Sequence, residues 1–425
     1  MNNTRIQSRN VSDQVFLCKP DTFRASKDYL QGGLCIRFIG IKSQDKNKTI
    51  DDDIETFIID IDLWLFAGLR HGLPLTRATR DFIYSFEENA EHAEQWYELH
   101  IDKNPAGLNY FYSTFSEEAP NFFNIKTLKS VVSPKLELSM QNSSPSQLQL
   151  NDDLASSGDW TELSRDAYVI RLQLEPAYFD GDFTLRSFHV GQGMCAIIHD
   201  DHWGMIFDMG AGKPVLRPDY PTPINDLRRI ASSLKSLSLL VSHFDSDHWR
   251  ILAWDFELRK NIKHIYVPSG KRSAAFYDKE IKDKVVVMGD TTVALGRHTL
   301  LSVYRSVPSS PDSNGQCLVT TFHKKGSTAL IPGDYAYHRF ASDGNPGITA
   351  LLNHVYSAVI VPHHGDYASS LNVVDCVADS PAFFSAGTHQ GYGHPTVYSV
   401  NGHIAKSFSI ISDKTQTCII QKTLL

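Results

Sequence analysis

Short apolar runs recur along the second half of the chain: Met205-Ile206-Phe207, Leu239-Leu240-Val241, Ile265-Tyr266-Val267, Val285-Val286-Val287, Ala329-Leu330-Ile331 and Val359-Ile360-Val361. Each has the length of a buried strand. Helix-compatible stretches fall between several of them, at 224–234 and 348–356. Three runs lead straight into polar clusters: His243 onward, Gly333-Asp334 and His363-His364. Strands that deliver side chains from their C-terminal ends are how open α/β layers build sites. The first half reads differently. Phe57-Ile58-Ile59 with Ile61, Leu63 and Leu65 predicts a strand, and 81–100, rich in Glu, Ala and aromatics, predicts a helix. Around 133–158 the composition shifts to Ser, Gln, Asn and Asp, which is linker chemistry. The pattern predicts an α/β protein in two parts: a smaller mixed α/β domain over 1–182 and an α/β layered domain over 183–425.

Charge sharpens that division. The net charge is −7. Up to Asp182 there are 28 acidic and 18 basic residues, giving −10; after it there are 20 and 23, giving +3. Fifteen of the 18 histidines also follow Asp182. Neutral imidazole is the commonest protein metal ligand, so the chemistry is expected there. Asp51-Asp52-Asp53-Ile54-Glu55 has no histidine or glycine turn beside it and reads as a solvated loop or helix start. The six cysteines are scattered without a CxxC pair, which argues against a zinc–thiolate knot and fits small buried side chains in a reducing compartment. No apolar run approaches the roughly 20 residues that span a bilayer, and the N-terminus lacks a signal-peptide stretch. The expectation is a cytoplasmic protein with no membrane partner.

The candidate chemistry centres on Ser242-His243-Phe244-Asp245-Ser246-Asp247-His248. Four potential ligands follow a strand on one loop. That spacing can splay His243 and Asp245 towards one ion, and Asp247 and His248 towards a second. Mixed nitrogen and oxygen ligands suit zinc, and the added carboxylates suit manganese or iron.

This HxDxDH pattern resembles the metallo-β-lactamase superfamily, most of which has HxHxDH. It is most similar to the soluble nuclease domain of ComEC-type competence proteins and their stand-alone relatives. Further motifs follow in the family's order: Phe188-His189-Val190-Gly191-Gln192-Gly193, Ile206-Phe207-Asp208-Met209-Gly210, Ile331-Pro332-Gly333-Asp334, Val361-Pro362-His363-His364-Gly365, and Gly387 with Tyr392-Gly393-His394-Pro395. The resemblance implies an αββα sandwich over 183–425 holding one or two divalent ions, zinc or manganese. It makes His243, Asp245, Asp247, His248, Asp334 and His363 the metal ligands, with Asp334 bridging. His364 would orient ligands, or bind in place of His363. Asp208 would orient ligands through hydrogen bonds. Gly191 and Gly193 would permit a tight turn beside the site. Asn314 would line it. Pro395 suits the first position of a helix, which would put His394 near a helix N-terminus, placed to contact a phosphate oxygen or protonate a leaving group. Asp247, His394 and Asp208 are the residues expected to serve catalysis. Two departures stand out. Positions that are often acidic in the family's opening motif are His189 and Met194 here. No clear third histidine for the first ion lies between His248 and Asp334; His264, His298 and His323 are the candidates.

The resemblance implies a metal-dependent phosphodiesterase acting on DNA or RNA. The alternatives are a hydrolase of a small molecule, such as a cyclic nucleotide, a choline-phosphate ester or a lactone, and a binding module with a degraded site. Arg228-Arg229, Lys271-Arg272 and Lys324-Lys325 are compatible with a polyanion and equally with solvated surface. The first domain carries no readable motif; its charge suggests gating of nucleic-acid access, and it is the place for a protein partner.

Overall fold

The computed structural model describes residues 14–30, 33–71, 95–137, 181–220, 225–270, 273–296, 298–309, 315–387, 392–412 and 419–424. The expected linker over 133–158 lies almost wholly outside them, as do Asn314 and most of the helix expected over 81–100. The chain divides into two compact units. One holds the described residues up to 137 together with Ser273–Lys282; the other holds the rest.

The described strands of the first unit form a closed antiparallel barrel, with one helix following its third strand. Its strands are β1 (Gln14–Ser26), β2 (Leu34–Lys42), β3 (Phe57–Asp62), β4 (Trp96–Lys103), β5 (Asn109–Ser113) and β6 (Asn121–Val131), in the order β1-β2-β3-β5-β6-β4. The part of 81–100 that is described is strand: Tyr97, Leu99 and Ile101 alternate into the barrel core with Phe16, Phe38, Ile59 and Phe111. The apolar run from Phe57 stops being strand at Asp62. The Asp62 carboxylate accepts hydrogen bonds from the backbone N–H groups of Trp64 and Leu65 (3.1 and 3.3 Å) and starts α1 (Leu63–His71). This is an N-capping arrangement, which satisfies donors a helix start leaves open.

The barrel also buries charge. Register places Arg37 on β2 opposite Asp60 on β3, and Asp60 opposite Tyr110 on β5. Arg37 donates two 2.8 Å hydrogen bonds to the Asp60 carboxylate and lies 2.9 Å from Asp28. The hydroxyls of Tyr110 and Tyr112 donate to Asp60 and Asp28 respectively. Cross-strand neighbours thus form one row in which a buried cation meets two buried carboxylates, each with a tyrosine on it.

Ser273–Lys282 completes this unit. The Asp278 carboxylate accepts from the backbone N–H and the hydroxyl of Thr56 (2.6 and 2.8 Å), and Lys279 N–H donates to the Ile54 carbonyl (2.8 Å). Burial raises the Asp278 pKa even against these bonds. The acidic stretch before Thr56 is exposed at Asp51–Asp53, as expected, while Ile54 is buried and Asp53 pairs with Lys282 at 3.0 Å.

The second unit contains two seven-stranded sheets. The first joins β7 (Phe183–Phe188), β8 (Cys195–His199), β9 (Trp203–Met209), β10 (Ser236–Leu240), β11 (Ile262–Pro268), β12 (Val285–Met288) and the C-terminal β22 (Ile419–Leu424), in the order β12-β11-β10-β9-β8-β7-β22. The second runs β13-β14-β15-β16-β18-β20-β21, from β13 (Thr291–Gly296), β14 (Thr299–Arg305), β15 (Leu318–Lys324) and β16 (Ser327–Ile331) to β18 (Ala358–Ile360), β20 (Pro381–Phe383) and β21 (Ser409–Ile411). β17 (Val355–Tyr356) and β19 (Asp375–Cys376) form a separate pair. All six apolar runs that predicted strands in this half contribute to one.

One apolar core draws on both large sheets, joining Leu185, Met205, Phe207 and Leu240 to Val303, Phe322, Ile331 and Ile360. The sheets therefore pack face to face. Helices α2 (Asn225–Ser233), α3 (Arg250–Trp254) and α4 (Phe256–Asn261) accompany the first sheet, with α3 against β9 and α4 against β11. A second core, with Leu330, Val359 and Phe384, packs α5 (Pro346–Ala350) and α6 (Val397–Ala405) on the second sheet. The helix expected over 348–356 is only its first part, because the chain turns at Leu351–Asn353 into β17. No helix among the described residues is long and apolar enough to cross a membrane.

Candidate metal centre

β9 and β10 are parallel neighbours, and both end at the site. Asp208 lies at the end of β9 in a left-handed conformation (φ 57°). Its carboxylate accepts from the Ser242 N–H (2.6 Å), the Ser242 hydroxyl (2.8 Å) and His248 Nδ1 (2.8 Å). One buried carboxylate thereby fixes the loop after β10. The Trp249 indole donates to the Phe244 carbonyl (2.9 Å), and Arg250 donates to the Ala211 carbonyl (3.0 Å). Gly210 has to be glycine: a Cβ there would stand 1.6 Å from the Asp247 carbonyl oxygen. Gly191 (φ 74°) is equally constrained, because its Cβ would meet the Gly212 carbonyl at 2.0 Å.

Three imidazoles point the same bare nitrogen inward. His248 donates through Nδ1 to Asp208. His364 donates through Nδ1 to the Ser385 carbonyl (2.8 Å). His243 Nδ1 lies 3.1 Å from the Ser242 hydroxyl, whose own proton goes to Asp208. In each case Nε2 is buried and has no hydrogen-bond partner, and the same holds for Asp334 Oδ1. Asp334 is delivered at the end of β16 through the left-handed turn of Gly333 (φ 59°). Its Oδ1 is 3.1 Å from His248 Nε2, and its Oδ2 is 3.8 Å from the Nε2 of His243, His363 and His364.

Buried polar atoms normally find partners. Four orphaned lone pairs converging on one space fit a divalent cation. Two ligand groups have the right size: His243, His248 and Asp334, and Asp247, His248 and His364. His248 belongs to both. Nitrogen with carboxylate oxygen is a zinc or manganese donor set.

The other expected site residues fall around these groups. Asp245 is about one third exposed, with Oδ2 3.5 Å from His243 Nε2. Asp247 Oδ2 is 3.4 Å from His364 Nε2. Of the adjacent histidines, His364 carries the buried, unengaged Nε2. His363 is a third exposed and binds Asp366 through Nδ1 (3.1 Å). His394 is buried, and its Nδ1 accepts from the Gln192 amide (3.3 Å). The helix that follows is capped by Thr396, so Pro395 precedes the cap rather than opening the helix. Met194 is buried in the core between the sheets; its backbone N–H donates to the Asp247 carbonyl (3.2 Å). Gly193 accepts a 2.6 Å bond from the Ser385 hydroxyl through its carbonyl. His264, His298 and His323 join neither ligand group among the described residues, and His323 binds Thr328 instead.

Sequence reasoning passed over Ser242, Asp366, Ser385 and Gln192. Ser242 and Asp366 directly flank the histidine motifs, so position was their only signal. Ser385 acts through a backbone carbonyl, which no residue type announces.

Electrostatics follow from this crowding. Burial alone would lower the His248 pKa, yet Asp334 and Asp208 together hold it well above the ordinary imidazole value. Burial opposes ionisation of Asp334, but the histidines around it keep it well below the carboxylate range. His363 is pushed up to about 9: burial disfavours its charge, and Asp334 and Asp366 outweigh that. His394 falls to about 4, through burial first and then the neighbouring histidines. Without metal, a proton is held on His248 by Asp334 and Asp208. A cation bound through His248 must displace that proton. Metal affinity is therefore expected to rise from pH 6 to pH 8, with proton release on binding. Titration calorimetry in buffers of different ionisation enthalpy measures that release; a buffer-independent enthalpy would contradict it.

Asp208→Asn should weaken metal binding by about 10- to 100-fold, the usual cost of losing an orienting partner. The amide can still accept from Ser242, but it cannot hold His248 as a carboxylate does. Competition with a chromophoric chelator reads the affinity, and unchanged binding would remove Asp208 from this role.

No protein-family model matches the chain, and no curated protein matches it. Among solved structures it is similar to YhfI from Bacillus subtilis, a metallo-beta-lactamase fold protein (10% identity, 56% of this chain and 100% of that one, TM-score 0.33). It is similar to zinc-bound PqqB from Methylobacterium extorquens (11%, 53% and 86%, TM-score 0.31). It is also similar to the short form of human tRNase Z (11%, 56% and 98%, TM-score 0.29). Likenesses this distant carry no argument about this chain, and its chemistry rests on its own residues.

Proposed function

We propose that this protein is a metal-dependent hydrolase whose substrate is a phosphodiester, with nucleic acid as the first substrate class. The observation that carries the reading is the convergence of the bare Nε2 atoms of His243, His248 and His364 with Asp334 Oδ1. His243, His248 and Asp334 would hold one divalent ion, and Asp247, His248 and His364 a second. A bound divalent ion lowers the pKa of water from about 15.7 towards 7, and a pair of ions suits displacement at phosphorus.

The chain's own residues have separable tasks. Asp208 and Ser242 orient two of the imidazoles. The Ser385 carbonyl orients the third. His394, neutral at pH 7 and accepting through Nδ1, carries its proton on Nε2 and is suited to donate to a phosphate oxygen or a leaving group. The sequence resemblance to ComEC-type nuclease domains favours nucleic acid over a small ester, a thioester or a lactone.

The test is a metal screen with zinc and manganese on single-stranded DNA, duplex DNA, RNA and a small phosphodiester, methyl p-nitrophenyl phosphate. Cleavage that needs metal and stops with chelator is expected. Hydrolysis of a lactone or thioester with no phosphodiester turnover would overturn the substrate class.

A further inference from the structure

Two surface tyrosines each lie four residues beyond a histidine of the site. Tyr367 follows His363, and Tyr398 follows His394. They are 57% and 62% exposed, yet their rings meet edge to face with centroids 5.3 Å apart. Tyr398 lies on the first turn of α6, beside Val397, which is 64% exposed. Ordinary surfaces rarely collect large apolar groups in one place. An edge-to-face pair is also a fixed geometry, so the platform needs little ordering when something lands on it.

The pair is tied to the site through its chain neighbours. Asp366, the residue before Tyr367, binds His363 Nδ1 and is itself held by the Ser369 N–H and hydroxyl (2.8 and 2.6 Å). Tyr392 stacks on the His394 ring, whose centroid is 5.8 Å from that of His363. Both segments that supply the pair therefore also supply residues of the site, Asp366 and His363 on one and His394 on the other. A substrate whose reacting group sits at Asp334 meets these rings with its neighbouring groups. Among phosphodiesters, the neighbour with a flat apolar face is a nucleobase, and a base presents that face only when it is unpaired.

Resting on the phosphodiester reading above, we infer that Tyr367 and Tyr398 form a stacking platform for an unpaired base next to the scissile linkage, which makes single-stranded nucleic acid the substrate. The paired edges of a duplex offer no face to the rings, so duplex binding gains nothing from them.

Fluorescence anisotropy with labelled single-stranded and duplex oligonucleotides, in calcium to avoid turnover, tests this on the full chain. Tyr367→Ala and Tyr398→Ala are each expected to weaken single-strand binding by about tenfold. Tyr398→Phe should bind like the natural protein, since stacking uses the ring. Abasic nucleotides scanned along the strand should reproduce the loss in the natural protein at one position and add little in the alanine variants. Alanine variants that bind single strands normally, or that lose single-strand and duplex binding equally, would overturn the platform. The hydrolytic reading is judged separately, by metal-dependent turnover of methyl p-nitrophenyl phosphate by the natural protein. Turnover with normal binding by the alanine variants removes the platform alone.

Discussion

Asp334→Ala is expected to lower metal-dependent hydrolysis by well over 100-fold while the sheets remain folded. The reason is the number of groups that share this carboxylate. Its Oδ1 faces His248 Nε2 at 3.1 Å, and its Oδ2 stands 3.8 Å from three further imidazole nitrogens. Removing it takes a ligand from one group and a carboxylate neighbour from His248 and His364 of the other. That exceeds the roughly 10- to 100-fold cost of losing a residue that merely orients a ligand. The backbone should tolerate the change, because Asp334 follows β16 in a turn set by Gly333, and the methyl group of alanine leaves room. Metal content and cleavage rate, with circular dichroism as the control, decide the matter. A folded Asp334→Ala protein with full metal-dependent cleavage would place the activity at another site.

Arg37→Met should produce the largest loss of stability, about 3–5 kcal/mol, the range for stripping one partner from a buried ion pair. Arg37 is the buried cation against which Asp28 and Asp60 are set. Methionine fills similar volume but leaves two carboxylates side by side away from water, where Tyr110 donates to Asp60 and Tyr112 to Asp28. Replacing Asp28 and Asp60 by asparagine in the same chain removes the uncompensated charge and should restore a good part of the loss. Urea denaturation of the single and triple variants gives both numbers. A single variant as stable as the natural protein would show that the charges cancel without Arg37.

How much of this was legible in sequence depended on range. His243, Asp247 and His248 share one loop, so their spacing alone grouped them. Asp334 and the His363-His364 pair could be added because each ends an apolar run, and parallel strands bring such ends together. The choice between His363 and His364 was not legible: it turns on the Ser385 carbonyl and the Asp366 carboxylate, one of them a backbone group twenty-one residues away. The barrel was hidden for another reason. Arg37 interrupts the apolar pattern of β2, and only the register with Asp60 and Tyr110 shows that it belongs inside. Burial on both sides of the strand erased the alternation that marks a half-exposed sheet.

Ser273–Lys282 has a bearing on whether the protein can be taken apart. This short excursion belongs to the barrel by its contacts, yet its flanks are β11 and β12 of the other unit. The polypeptide therefore passes from one unit to the other three times. Expressing the second half alone would orphan Asp278 together with the buried Phe276 and Ile281. Nicking the natural protein once between residues 137 and 181 should instead yield two pieces that migrate together, because the first piece still grips a loop of the second through Thr56 and Ile54.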